Sequence, residues 1–287
     1  MIFVTGIHGV GKTTYCEMLS KAFGIPYYSA GKILTYVGVQ HESDKYVKDI
    51  AKNQKVLVNV LRAVKNEVND FILDGHMSLI NEYGKFEGIK IETFQQLGVT
   101  EIIYLLENAS VVQKNLFNRD ENMWTEEFIQ KFIKYDLNYT QLVAEAINVP
   151  LHIIKNSISG SVNEEILMPI KKEYADKILA GKKKYEFRKT ICSRPCNMIY
   201  LYVTSPYKKI VGKVAVKGKV SLSKEKLWEF VSEDAGISSE KYFAYFSSGK
   251  NAFAYILGNA EKISPERTLQ EYGINYNPQS FVYLNNS

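Results

Sequence analysis

The stretch IFVTGIHGVGKTTYCEML, residues 2–19, decides the fold of the first half of the chain. It begins with an apolar run typical of a buried strand and ends in apolar residues at helical spacing. Between them, residues 6–13 fit the pattern G-x-x-x-x-G-K-[ST] of a phosphate-binding loop. The glycines let successive backbone N–H groups converge on phosphate oxygens, and the positive end of the following helix points to the same place. The stretch therefore predicts a nucleotide-binding α/β domain.

The side chains of this loop have predicted tasks in binding ATP and Mg²⁺. Lys12 supplies a mobile cation for the β- and γ-phosphates, and Thr13 supplies a hydroxyl ligand for Mg²⁺. Asp74 closes the apolar run FILD, where a carboxylate would hold the metal through water; the alternative is a turn residue of the Asp-Gly pair. Thr13 and Asp74 are the predicted metal residues. The predicted nucleotide-binding residues are Gly6, His8, Gly9, Val10, Gly11, Lys12, Thr13 and Thr14.

The order of the segments predicts two domains. Residues 1–156 alternate apolar runs with helical patterns at 45–69, 110–118 and 125–146, which predicts a parallel sheet with helices on both faces. Residues 157–164 are small and polar, so we place a linker there. Residues 165–287 consist mainly of short β-rich runs separated by glycine turns, which predicts a small α+β domain built on a barrel or a curled sheet.

Charge and composition limit the classes of function. Residues 1–156 carry 16 Lys and Arg against 18 Asp and Glu, whereas residues 157–287 carry 20 against 13, giving net charges of −2 and +7. The basic half is therefore expected to meet an anionic partner, and a solvated lysine-rich surface is the alternative. No apolar run is long enough to span a bilayer, so no membrane partner is expected. The chain has 3 cysteines, which favours a reducing, cytoplasmic location.

Residues 1–156 resemble the adenylate-kinase-like P-loop kinases, of the archaeal adenylate kinase and cytidylate kinase type. The resemblance is carried by VTGIHGVGKTT, SAGKIL and ILDGH. It implies an ATP-dependent phosphotransferase with an acceptor site opposite the nucleotide and a lid arginine over the phosphates. Carried over, it gives Lys12, Asp74 and Arg119 as catalytic residues. The implied acceptor-binding residues are Ser29, Gly31 and His76, with a helix cap as the alternative role of Ser29 and a structural histidine as that of His76.

Two departures from this family concern the acceptor. The lid segment carries Arg119 and few other arginines, and the chain continues from Asp74 as Gly75-His76-Met77 where the family often has a proline and an arginine. The predicted acceptor is therefore a nucleotide, a nucleoside or RNA, with a hydroxyl group as a candidate phosphate acceptor. ATP hydrolysis without an acceptor is a further alternative.

A second motif, GKKKYEFR at residues 181–188, fits G-x-K-x-x-E-x-R. With MPIKKEYADKIL before it and SPYKKIVGKVAV after it, the chain resembles the ASCH domain, a PUA-like β-barrel family associated with RNA. The resemblance implies a cleft with Lys183, Glu186 and Arg188, and RNA as the expected partner of this domain. We expect Glu186 and Arg188 to form an ion pair, since buried charges require partners. A structural ion pair beside a solvated lysine run is the alternative.

Three functions follow from this combination. The first is an ATP-dependent kinase whose acceptor is recruited by the ASCH domain. The second is an RNA-binding regulatory protein switched by ATP, without any phosphate acceptor. The third is a hydrolase of modified cytidine in the ASCH cleft, because some members of that family remove acyl groups from N4-acylated cytidine. In those members a threonine stands where this chain has Glu186.

Overall fold

The computed structural model describes residues 1–38, 46–47, 49–120, 124–155, 165–194 and 196–284, except the side chains of residues 46 and 120. The chain divides into two compact units, Met1–Ser159 and Gly160–Ser287. The predicted linker, residues 157–164, lies outside the described residues. None of the helices in the described ranges combines the length and the apolarity needed to cross a membrane.

The first unit alternates strands and helices from its first residue. Its strands are β1 (Ile2–Thr5), β2 (Tyr27–Ser29), β3 (Tyr46–Val47), β4 (Ile72–Asp74), β5 (Ser78–Asn81), β6 (Phe86–Gly88), β7 (Glu101–Leu106) and β8 (Leu151–Lys155). Its helices are α1 (Lys12–Phe23), α2 (Ala30–Tyr36), α3 (Ile50–Glu67), α4 (Ile91–Leu97), α5 (Ala109–Asp120) and α6 (Glu126–Ala146).

Five of these strands form one parallel sheet in the order β2-β4-β1-β7-β8. Both faces of β1 are covered, because Ile2 and Val4 are 0% exposed and Phe3, on the opposite face, is 2% exposed. Phe3 belongs to a core that includes side chains of α3, α4 and α6. The predicted α/β class with a covered parallel sheet is confirmed.

The register of this sheet places the predicted site residues at one edge. Val4, two residues before the glycine loop, lies opposite Asp74 on β4, and Ser29 on β2 also lies opposite Asp74. The carboxyl ends of parallel strands meet at the same edge, where ligands of open α/β sheets bind. The fold therefore brings the glycine loop, Asp74 and the predicted acceptor segment together at this edge.

The helix predicted over 45–69 is shorter in the structure. Asp49 has a φ of 49°, and its side chain accepts a hydrogen bond from the backbone N–H of Lys52 at 3.0 Å, so α3 begins at Ile50. Tyr46–Val47 instead pairs with β5 in a small sheet of order β3-β5-β6. The prediction failed here because an apolar stripe shows the helix interior but not the residue at which an aspartate caps it.

The second unit is rich in strands, as predicted. Its strands are β9 (Glu165–Ile170), β10 (Tyr185–Arg188), β11 (Met198–Val203), β12 (Lys209–Ser223), β13 (Asn251–Arg267) and β14 (Val282–Leu284). Its helices are α7 (Lys172–Leu179), α8 (Lys224–Val231) and α9 (Ser239–Tyr245), with short 3-10 turns at Ser232–Asp234 and Gln270–Tyr272. The six strands form one mixed sheet in the order β10-β13-β12-β11-β9-β14, in which only β9 and β11 run parallel.

This mixed sheet is strongly curled. Four strand spacings separate β10 from β9, which is about 19 Å in a flat sheet. Yet Arg188 on β10 donates a hydrogen bond from Nη2 to the carbonyl of Pro169 on β9 at 2.8 Å. Irregularities in the pairing of β12 with β11 and β13 supply the bends. The curl brings the ends of distant strands around one cleft.

Candidate functional site

The glycine loop has the backbone that a phosphate cradle requires. Gly9 and Gly11 have φ values of 83° and 87°, which favour glycine. A Cβ at Gly9 would lie 3.0 Å from the side chain of Leu116 on α5, so α5 also excludes larger residues at this position. Asn115, on the same helix, donates from Nδ2 to the Gly9 carbonyl at 2.9 Å. The loop is thus fixed by α5 and opens into the N-terminus of α1.

Lys12 folds back over its own loop. Its Nζ donates to the carbonyls of Gly6 at 2.8 Å and Ile7 at 3.0 Å. Burial lowers the pKa of Lys12 to about 8, and the carboxylates of Asp74 and Asp136 oppose this shift. A phosphate anion placed in the loop would stabilise the ammonium form further. The position and the charge of Lys12 therefore fit the contact predicted with a polyphosphate.

Asp74 lies at the end of β4 with both carboxylate oxygens held. Tyr27 donates its hydroxyl to Oδ2, and Ser29 donates to Oδ1 at 3.2 Å. Ser29 is at the N-cap position of α2 but makes no capping hydrogen bond; its hydroxyl bonds to Asp74 instead. The Tyr27 hydroxyl also interacts with the hydroxyl of Thr13. The two predicted metal residues are therefore joined through Tyr27, a residue that the sequence analysis did not identify.

Two imidazole rings lie beside the loop. The ring centroids of His8 and His76 are 4.1 Å apart, and both residues line the cleft into which the glycine loop opens. Burial, followed by the charge of Lys12 and the neighbouring His8, holds the pKa of His76 well below its usual range. His76 is therefore neutral at physiological pH and can contact a polar group through hydrogen bonding rather than through charge.

A further acid, Asp136 on α6, acts electrostatically on Lys12. It was not predicted from the sequence. It is 0% exposed and accepts hydrogen bonds from Ser78, at 3.0 Å from the backbone N–H and 2.5 Å from the hydroxyl. Burial raises its pKa to about 6, against the hydrogen bonds from Ser78 and Tyr104 and the charge of Lys12. No local sequence signal marks it, because it lies among the polar residues of a long helix.

The loop opens into a cleft of about 1130 Å³ within the first unit. One half is the phosphate cradle, where the predicted residues His8, Gly9, Val10, Gly11, Lys12, Thr13, Thr14, Asp74 and Arg119 lie along the wall. Gly6 lies beneath the cradle, where its carbonyl accepts from Lys12. Arg119 is exposed at the end of α5 and acts electrostatically on Lys12 and His76. The predicted nucleotide and lid residues thus converge on one space.

The other half of the cleft is largely apolar. The predicted acceptor residues Ser29, Gly31 and His76 lie at its border, and Leu57, Phe94 and Leu97 form part of its wall. Two carboxamide side chains of α3, Asn53 and Gln54, enter this wall and are each only 9% exposed. A nearly buried amide in an apolar wall is a ready contact for a polar edge of a ligand.

The second unit has its own cleft, of about 750 Å³, around the motif strand β10. Glu186 accepts a hydrogen bond from Nη2 of Arg188 at 2.8 Å, so the predicted ion pair is present. Lys183, 3% exposed, donates to the carbonyl of Ala235 at 2.9 Å, and its Nζ lies 3.7 Å from Glu186. Burial lowers the pKa of Lys183, and the carboxylate of Glu186 opposes this shift.

The wall of this second cleft is cationic at its rim. Exposed side chains of Lys171, Lys208 and Lys241 line it together with the motif residues. Tyr174 and Tyr245 line it too, and an aromatic ring lying beside cations suits a nucleic-acid base and its phosphate. The cleft therefore fits the anionic partner that the charge of this half predicts.

Comparison with known proteins finds relatives of both units. A family model described as an AAA domain matches residues 5–130, from the end of β1 into α6. An ASCH domain-containing ribonuclease from Zymomonas mobilis is 30% identical over 125 residues, which cover 42% of this chain and 84% of that protein. The chain belongs to the ASCH domain family through its second unit, and its first unit is a nucleotide-binding, P-loop kinase-like domain.

Two further relatives and one solved structure match parts of the chain. An adenylate kinase from Thermoplasma volcanium is 20% identical over 119 residues, 40% of this chain and 66% of that enzyme. An ATP synthase subunit alpha from Ureaplasma parvum is 28% identical over 130 residues, but these span only 16% of that protein. The crystal structure of ASCH from Zymomonas mobilis shares 29% identity and covers 42% of this chain and 88% of that chain, with a TM-score of 0.41.

Proposed function

We propose that the first unit transfers the γ-phosphoryl group of ATP to a nucleotide, nucleoside or RNA acceptor, and that the ASCH domain recruits this acceptor. The observation that carries the proposal is the single cleft with two unlike halves. One half is a phosphate cradle with Lys12 and Asp74, and the other is an apolar wall that includes the nearly buried amide of Gln54. An ATP switch needs only the cradle, whereas a kinase needs a second pocket beside it.

The residues of the cradle fit ATP and Mg²⁺. The glycine loop fits the phosphates, Lys12 carries the positive charge, and the hydroxyl of Thr13 and the carboxylate of Asp74 would hold the metal. When bound, Mg²⁺ neutralises charge on the β- and γ-phosphates. Arg119, exposed at the rim, is long enough to turn toward the transferring group and stabilise its charge. Tyr27 and Ser29 hold the Asp74 carboxylate in its orientation through their hydrogen bonds.

The acceptor half favours a base or another planar polar group over a second phosphate. Gln54 offers one donor and one acceptor edge, and Leu57, Phe94 and Leu97 supply apolar contact. His76, neutral and at the border of the two halves, would accept a hydrogen bond from the acceptor hydroxyl. The adenylate kinase relative supports a nucleoside-containing acceptor of this class.

The ASCH domain would raise the local concentration of the acceptor. A tethered binding domain keeps its ligand near the kinase domain at an effective concentration set by the connecting segment. The basic cleft around Lys183 and the net charge of +7 over residues 157–287 suit a nucleic acid. The Zymomonas relative, named as a ribonuclease, supports RNA as this partner.

The test is transfer of label from γ-labelled ATP to nucleosides, nucleoside monophosphates or RNA. We expect labelled acceptor with the wild type and with Lys21→Ala, an exposed lysine of the same helix. Lys12→Ala should lower the rate at least about 100-fold, because it removes a charge placed on the phosphates. Free phosphate alone, stimulated by RNA, would instead support the ATP switch, and an absence of any turnover would contradict both.

A second candidate function is chemistry in the ASCH cleft. It is favoured by the ribonuclease relative and by Lys183, a buried amine with a lowered pKa beside Glu186. Labelled RNA and N4-acylated cytidine, each incubated without ATP, distinguish an RNA-cleaving centre from an acyl-removing one. Lys183→Ala should abolish the product, while Lys182→Ala, exposed and adjacent, should not. Binding of intact RNA without cleavage would leave recruitment as the role of the cleft.

A further inference from the structure

The connection between β10 and β11 carries two cysteines that neither cleft uses. Cys192 and Cys196 are four residues apart, and both are free thiols. Their side chains contact each other, and the sulfurs of Cys192 and Cys196 lie 3.6 Å and 3.5 Å from the carbonyl oxygens of Arg194 and Met198. Cys192 is 1% exposed, whereas Cys196 is partly exposed. Two thiols already in contact, one of them reachable from solvent, can be bridged without moving either strand.

The surroundings of the pair favour a negative sulfur. Nζ of Lys219 lies 3.0 Å from the carbonyls of both Cys192 and Arg194, which places a positive charge at the base of this connection. The hydroxyl of Tyr255 accepts from the backbone N–H of Cys192 at 2.9 Å and also interacts with its sulfur. Both groups stabilise a thiolate more than a thiol.

The pKa of the Cys192 thiol is lowered, chiefly by its contact with the Cys196 side chain and against the effect of burial. The pKa of Cys196 is raised by the same contact and by burial. Two interacting thiols titrate as a pair, so this pair loses its first proton more readily than an isolated buried thiol does. Cys16 is different, because burial raises its pKa and leaves it a neutral thiol.

We propose that Cys192 and Cys196 are a redox-active dithiol that hydroperoxides oxidise to an intrachain disulfide. The thiolate of the pair attacks the terminal oxygen of the hydroperoxide; the O–O bond breaks, and the alkoxide that leaves takes the proton of the second thiol and departs as an alcohol. The second sulfur, now a thiolate, attacks the resulting sulfenic acid; the S–S bond forms, the S–O bond breaks, and the hydroxide that leaves takes a proton from the solvent to become water. Two electrons pass from the two sulfurs to the peroxide, and a small thiol can return them by exchange.

One residue, Tyr255, connects the cysteine pair with the ASCH cleft. Tyr255, which contacts Cys192, lies directly opposite Glu186 in the pairing of β13 with β10. Opposite residues of an antiparallel pair share a face of the sheet. A disulfide at Cys192 therefore changes the surroundings of Tyr255. The Tyr255 side chain lies next to the Glu186 carboxylate, which pairs with Arg188 and Lys183.

The experiment treats the full-length, folded protein with a small excess of hydrogen peroxide at pH 7 and analyses its unreduced tryptic peptides by mass. Both cysteines fall in one peptide, residues 190–208, because trypsin does not cut between Arg194 and Pro195. We expect this peptide to lose two hydrogen masses and to regain them with a reducing thiol. The peptide that contains Cys16, residues 13–21, should stay unchanged and serves as an internal control.

Two variants test the need for both sulfurs. Each single variant, Cys196→Ser or Cys192→Ser, should prevent the disulfide and stop the oxidation at a sulfenic acid on the remaining sulfur, which a cyclic dione traps. In the wild type, alkylation of the pair should be roughly tenfold faster than that of Cys16 at pH 7, reflecting its thiolate. Equal alkylation of all three cysteines, or no change in the peptide 190–208, would overturn the proposal.

Discussion

The hydroxyl of Tyr27 donates a hydrogen bond to Asp74 and also interacts with Thr13, so one tyrosine connects the two residues assigned to the metal. Ser29 holds the other oxygen of the same carboxylate at 3.2 Å. The carboxylate is therefore oriented before any nucleotide arrives. Preorganised ligands of this kind bind a metal–nucleotide complex more tightly than mobile ones.

Tyr27→Phe removes this hydrogen bond and should raise the Mg²⁺ concentration needed for half-maximal ATP binding about three- to tenfold, because the carboxylate loses a charge-assisted contact. Titration of Mg²⁺ at fixed ATP, followed by calorimetry, measures the shift. Tyr28→Phe is the matched control, since Tyr28 packs against Phe71 in the core. An equal Mg²⁺ requirement in both variants would contradict the assignment of Asp74 to the metal.

ATP affinity should depend on pH through Lys12. Its pKa of about 8 in the nucleotide-free protein means that it is charged at pH 7 and largely neutral at pH 9. A bound polyphosphate requires the ammonium form, so affinity should fall by up to about tenfold per pH unit above pH 8. Lys12→Arg stays charged throughout this range and should remove the dependence. A wild-type affinity that is constant from pH 7 to 9 would contradict the contact.

Gln54→Leu should impair the acceptor and not the nucleotide. Removing the amide leaves a polar edge of the acceptor unpaired in an apolar wall, which should lower kcat/KM for the acceptor about 10- to 100-fold. The KM for ATP should stay unchanged, because Gln54 lies in the other half of the cleft. Gln95→Leu, on the exposed side of α4, is the control. A rise in the KM for ATP, with the acceptor kinetics intact, would place Gln54 in the nucleotide site instead.

Asp136 should make the stability of the first unit depend on pH. Its pKa of about 6 lies above the ordinary value, so the folded state holds the proton more tightly than the unfolded chain. This contribution therefore favours folding increasingly as pH falls from about 7 to 4, and the charged form at pH 7.5 costs up to about 3 kcal/mol. Asp136→Asn should be more stable than the wild type at pH 7.5, and the difference should vanish near pH 4.

Urea unfolding measures this difference. The chain has 2 tryptophans, so a Trp228→Phe background leaves Trp124 to report on the first unit alone. Glu82→Gln, exposed on the same unit, controls for the loss of a negative charge. A stability loss in Asp136→Asn that is the same at both pH values would show a purely structural role for this aspartate.

The parts of the site that lie close together in sequence could be predicted. The glycine loop and Lys12 form one continuous pattern, and Asp74 ends an apolar run that predicts a buried strand. The ion pair of Glu186 with Arg188 follows from a motif of eight residues, 181–188. Short-range patterns suffice here because the backbone conformation of the segment itself places the groups.

The parts that depend on distant contacts could not be predicted. Asp136 meets Ser78 across 58 positions, and Tyr27 meets Asp74 across 47. Gln54 stands in a helix whose apolar stripe is visible, but the pattern does not show which polar residue faces a cleft. The contact between Cys192 and Cys196 depends on Lys219 and Tyr255, residues of other strands that hydrogen-bond to the backbone of Cys192.

Phosphorus NMR of the full-length protein with ATP, Mg²⁺ and a mixture of nucleosides, nucleotides and short RNA tests the central claim most directly, because it follows the γ-phosphorus to its destination. The account predicts that the γ-resonance is replaced by that of a new phosphate ester or anhydride on an acceptor, with ADP formed in equal amount, and that Lys12→Ala prevents both. ADP accompanied only by inorganic phosphate, at the same rate with and without every acceptor, would contradict it.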